Sequence, residues 1–160
     1  MKEILKLTIA IAVCQSAGVV GSIFTASAIL TWYVQLAKPF LTPPGWVFGP
    51  VWTVLYAIIF VSFGMVFYKA FTKEISWMIA LPFALNLLFN FIFTPIQFGL
   101  KNNLLASVDI LLVLATLVWA LWSVWHIVPE LRWVAYVNIP YLVCVSFATV
   151  LQLTILFLNR

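Results

Sequence analysis

Three amides in the third apolar stretch of the chain, Asn86, Asn90 and Gln97, are the residues whose type and spacing most demand an explanation. Asn86 and Asn90 stand four apart and Gln97 follows seven later, so a helix carries all three on one face. An amide buried in an apolar medium without a partner costs several kcal/mol, so each must meet another helix, a water or a ligand. Such a row either ties helices together or lines a cavity with polar tips, and the two readings are compatible. Pro82, Pro95 and Pro140 each free a backbone carbonyl that a buried polar group or a ligand can satisfy.

Other chemistry is sparsely provided. Asp109 is the one carboxylate well inside an apolar run; proton or cation transfer is conceivable there, but with no second acid, base or metal ligand nearby a structural hydrogen bond is the simpler role. His126, the single histidine, lies at a span end next to Pro129 and is a weak candidate for an axial haem ligand. Cys14 and Cys144 fall in apolar runs and read as small packing residues rather than a disulfide. No HExxH, CxxC, phosphate-binding Gly-rich loop or GxSxG occurs, no metal site is expected, and the four acids do not assemble a hydrolytic dyad. Trp52, two turns into the second apolar run, leaves one-electron or light-driven redox chemistry open.

The elements that must position these groups follow from composition. Of 160 residues 66% are hydrophobic and 8% charged, and the mean hydropathy is +1.18. A water-soluble domain is about half apolar and about a quarter charged, so both soluble and disordered chains are excluded. A helical crossing of a bilayer uses about 20 apolar residues, and the apolar runs predict five spans, at about 4–30, 46–68, 77–98, 104–125 and 133–158. The fold class is an all-α integral membrane protein, one domain over 1–160. The first run continues well past the length of a secretory signal and is expected to be retained. Residues 31–45, with Pro39, Pro43 and Pro44, form an ordered loop rather than a membrane helix.

The basic residues are scattered at span ends, with no basic stripe for nucleic acid. Lys2, Lys6, Lys69, Lys73 and Arg132 fall on the amino-terminal face, and Lys38, Lys101 and Arg160 on the other. This bias predicts a cytoplasmic amino terminus in a bacterial membrane, with the Trp/Pro loop outward. Trp32, Trp46, Trp77, Trp125 and Trp133 lie near span ends, where an indole suits the headgroup layer. Gly18, Gly21 and Ser22 permit close helix packing in the first span.

One stretch carries a specific resemblance. Trp32-Tyr33, Leu36-Ala37-Lys38-Pro39 and the run from Pro43 through Gly45-Trp46, Gly49-Pro50 and Trp52 to Tyr56 resemble the signature of the TspO/MBR family, the tryptophan-rich sensory and translocator (peripheral-type benzodiazepine receptor) proteins. Gly18 and Gly21, Asn90 with Pro95-Ile-Gln-Phe-Gly99, Val108-Asp109 and Pro140-Tyr141 before Phe147-Ala148-Thr149 fit in order. The resemblance implies a five-helix bundle, often dimeric, whose pocket is closed by the loop between the first two spans. It implies ligands such as protoporphyrin IX and isoquinoline or benzodiazepine drugs, with porphyrin as a ligand rather than a permanent cofactor. Carried onto matching positions, the pocket involves Tyr33, Pro43, Trp46, Trp52, Tyr56, Asn90, Phe93, Gln97, Phe147 and Ala148. Asn86 joins them from the helical face, and Lys38 is placed to pair with a propionate at the mouth.

Two departures from the family pattern matter. Several members have a tryptophan four residues after the proline of Pro140-Tyr141, linked together with the tryptophan matching Trp52 to light-dependent porphyrin degradation; here that position is Cys144. The sterol motif of mitochondrial members needs a tyrosine that Leu151–Arg160 lacks, so cholesterol handling gains no support. The expected function is a membrane receptor or carrier for hydrophobic ligands, tetrapyrroles first, acting in sensing, sequestration or transport. The alternative is an enzyme that oxidatively degrades porphyrin in light through Trp52, and a regulator acting only through partner proteins ranks third.

Overall fold

The computed structural model describes residues 31–159, and no strand occurs among them. The helices are α1 (Trp32–Gln35), α2 (Gly45–Phe71), α3 (Trp77–Thr94), α4 (Asn103–Ile127), α5 (Arg132–Val137) and α6 (Ile139–Leu158), with a π-helical turn at Pro95–Gly99 and a 3-10 turn at Pro129–Leu131. Among the described residues, four segments are long and apolar enough to cross a membrane: α2, α3 with its π turn, α4 and α6. The chain is an all-helical membrane bundle. The first predicted span, 4–30, with Cys14, Gly18 and Gly21, lies outside the described residues.

Local chemistry sets the helix starts. The Ser76 hydroxyl accepts from the Met78 N–H at 3.2 Å, and the Asn102 side chain accepts from the Leu105 N–H at 3.0 Å, capping α3 and α4. The turns before them use left-handed backbone at Lys73 (φ 63°) and Lys101 (φ 53°). Pro95 opens the π turn, closed by the Leu100 N–H donating to the Pro95 carbonyl at 2.9 Å.

The last predicted span, 133–158, is two helices rather than one. The chain breaks at Asn138, two residues before Pro140, whose missing N–H prevents α5 from continuing through it. The Asn138 side chain holds the break, donating to the Ser62 hydroxyl of α2 and to the Val134 carbonyl, both at 2.8 Å. The loop 31–45 likewise contains the short α1.

One stripe of α2, Leu55, Ile59, Phe63 and Val66, packs inward. Phe63 meets Phe83 of α3 edge-on at 4.8 Å, and Tyr141 of α6 lies 6.5 Å from Phe63. α4 packs against both α3 and α6. Trp52 and Tyr56 sit at the outer end of the α2 stripe, half-buried and packed against this core.

Candidate ligand-binding site

At the outer end of the core, hydrogen bonds run through four helices. The Tyr56 hydroxyl donates to Asn90 Oδ1 at 3.3 Å, Asn90 Nδ2 donates to the Tyr141 oxygen at 2.9 Å, and the Tyr141 hydroxyl donates to Asn86 Oδ1 at 3.0 Å. Asn86 Nδ2 then donates to the Val113 carbonyl at 2.8 Å and to Thr116 at 3.3 Å on α4. Asn86 and Tyr141 are fully buried, whereas Asn90 and Tyr56 are half-buried. The chain of bonds therefore begins in the dry core and ends at an accessible surface. Each member is satisfied, which fixes the rings above it.

Those rings form a wall. Trp52 lies 5.5 Å from Tyr56 in a tilted arrangement and 6.5 Å from Tyr141 edge-on. Phe93, Cys144 and Ala148 are half-buried against the same core. On α6, Tyr141, Cys144 and Ala148 share a face, so a small thiol and a methyl lie along the wall where bulkier residues would fill it.

Gln97 belongs to a second cluster. The π turn turns it inward, where the Gln152 amide donates to Gln97 Oε1 at 3.1 Å and to the Asn103 carbonyl at 3.3 Å. The ends of α3, α4 and α6 are thereby tied. Asn86 and Gln97 have the helix-joining role, and Asn90 reaches the half-buried surface beside Tyr56.

The loop over this end is anchored twice. The Asn159 side chain accepts from the Ala37 N–H at 3.0 Å and donates to the Ala37 carbonyl at 2.9 Å, pairing with the backbone donor and acceptor of one residue. Tyr33 packs on Phe98 at 5.8 Å, and the Lys38 ammonium rests 4.6 Å above the Tyr33 ring. Burial pushes the Tyr33 phenol above its ordinary pKa.

The comparison with known proteins meets this geometry. The model of the TspO/MBR family matches residues 10–158, nearly the whole chain. The chain belongs to the TspO/MBR family. A tryptophan-rich protein TspO of Archaeoglobus fulgidus is 35% identical over 160 residues, covering 98% of this chain and 99% of that protein. The TspO protein of Chlorobaculum tepidum is 33% identical, covering 99% and 98%. The human translocator protein is 35% identical over 135 residues, covering 83% of this chain and 78% of its own.

The residues that the TspO/MBR resemblance nominates do not all converge. Trp52, Tyr56, Asn90 and Phe93 lie on the aromatic wall or its supports, and Tyr33 and Lys38 on the loop. Trp46 is 77% exposed, because it falls nearly half a turn off the inward stripe of α2. Phe147 is 40% exposed, off the Tyr141 face of α6, and Pro43 is half-buried in the loop. Asp109 is buried, with Oδ2 lacking any hydrogen-bond partner. His126 lies at the far end of α4, its Nδ1 3.0 Å from the Trp122 carbonyl oxygen.

Three structural residues were not nominated from the sequence. Tyr141 was quoted only as part of a motif, yet it joins both amides. A tyrosine inside a hydrophobic span signals a hydroxyl that needs a partner, and that signal points to it. The other two are Asn138, which holds the break before α6, and Asn159, which holds the loop.

Proposed function

We propose that the protein is a membrane receptor or carrier for flat hydrophobic ligands, tetrapyrroles such as protoporphyrin IX first and isoquinoline or benzodiazepine drugs as competitors, serving in sensing, sequestration or transport. The observation that carries this reading is the aromatic wall of Trp52 and Tyr56 held rigid by the bonds through Asn90, Tyr141 and Asn86. A porphyrin needs a stacking surface, apolar walls and a few fixed polar groups, and rigid aromatic rings meet it at little entropic cost. Lys38, on the loop, offers an ammonium to a propionate. Relatives named a translocator protein and a tryptophan-rich sensory protein support a sensory or transport role. A homodimer in a bacterial membrane, amino terminus inside, completes the proposal.

Titrating the purified protein with protoporphyrin IX in the dark, then illuminating it, tests the reading. Saturable binding, weakened several-fold in Trp52→Phe and without faster bleaching, is the expected result. Lys38→Ala weakens the diacid and leaves its dimethyl ester unchanged. Bleaching that is accelerated by the protein and lost in Trp52→Phe would instead make it a porphyrin-degrading enzyme. Absence of saturable binding removes tetrapyrroles as ligands.

A further inference from the structure

We propose that the membrane-facing groove at the inner end of α4, α5 and α6 is a site for one anionic phospholipid, with an acyl chain in the groove and the phosphate on Arg132. The groove has a volume of about 420 Å³. Leu121, Trp122 and Trp125 form one side, and Tyr136, Ile139 and Leu142, straddling the break at Asn138, form the other. Its walls are apolar, so water gains no partners there, and a hydrocarbon chain is the occupant that a bilayer supplies. The size falls within the range of about 300–1,000 Å³ of small-molecule sites.

Charge selects the headgroup. Arg132 Nε donates to the Trp125 carbonyl at 3.0 Å, and the guanidinium stands 5.6 Å from the Trp125 ring. These contacts fix the side chain at the head of the groove and leave its two terminal nitrogens without a partner among the described residues. The described carboxylates of this rim are engaged elsewhere: Glu74 and Glu130 both bind Lys69, at 2.8 and 3.2 Å. A fixed guanidinium with no carboxylate partner among the described residues is a bidentate donor for a phosphate, and a net negative headgroup adds attraction that a zwitterionic one lacks. The groove walls carry their own reporters in Trp122 and Trp125.

The test uses the full chain in phosphatidylcholine vesicles doped with phosphatidylglycerol or phosphatidylcholine carrying dibrominated acyl chains, which quench tryptophan on contact. The difference between wild type and a Trp122→Phe/Trp125→Phe variant isolates the groove signal from the other tryptophans. The expected result is about a fivefold preference for the brominated phosphatidylglycerol. Arg132→Gln brings the preference to parity, and Ala135→Phe, which narrows the groove, reduces quenching by both lipids. Equal quenching in wild type, or a preference that survives Arg132→Gln, overturns the proposal. Quenching by neither lipid overturns it as well, and then a second copy of the chain covers the groove. The wild-type comparison, with the groove signal isolated in this way, decides the matter even where Arg132→Gln or Ala135→Phe fails to fold.

Discussion

Tyr141 is the residue on which the inner polar groups depend, because its one oxygen accepts from Asn90 and donates to Asn86. Tyr141→Phe keeps the ring and removes both bonds. Interhelical hydrogen bonds in membrane proteins are worth about 0.6 kcal/mol on average and up to about 1.7, so the variant should lose about 1–2 kcal/mol. Thermal unfolding of the detergent-solubilised protein measures this, and an unchanged midpoint means that water or a rearranged amide replaces the hydroxyl. Ligand affinity should fall in the same variant, because Asn90 and the Tyr56 hydroxyl it holds lose their backing. The amides were legible in the sequence because amides are rare in hydrocarbon. The Tyr141 hydroxyl signals only that it needs a partner, and its neighbours in space reveal which amides it joins.

The boundaries of α3 and α4 were readable for a local reason: Ser76 and Asn102 stand where capping residues belong, and charged turns precede both helices. The break at Asn138 was not. Hydropathy continues through it unchanged, and the Ser62 partner that holds it is 76 residues away. The π turn was hidden similarly, since Pro95 predicts a disturbed helix without saying which way Gln97 will face. The loop's attachment to α6 is the furthest from local pattern, spanning 122 residues. Asn159→Ala should leave the helices intact while the Ala37 amide exchanges its hydrogen faster, by a few-fold up to about tenfold for one lost hydrogen bond. Hydrogen–deuterium exchange over 31–45 reads this out. Unchanged exchange would mean that the Tyr33 and Phe98 packing alone holds the loop.

Across the whole bundle, Lys38 and Lys101 mark one face, and Lys69, Lys73 and Arg132 the other. The proposed orientation puts the second face in the cytoplasm, because that face carries the greater weight of basic residues. In intact bacterial cells a membrane-impermeant maleimide should label Leu41→Cys, an exposed position on the loop, and spare Pro129→Cys at the opposite end. The reverse labelling inverts the molecule. On the two proposals each face has its own task, a ligand wall under the loop and a lipid groove beside Arg132. The clasp between Asn159 and Ala37 also imposes an order on biogenesis. A ribosome adds about 5–20 residues per second from the amino end, so the loop emerges many seconds before the residue that grips it. Until Asn159 is made, nascent chains hold the loop unclasped.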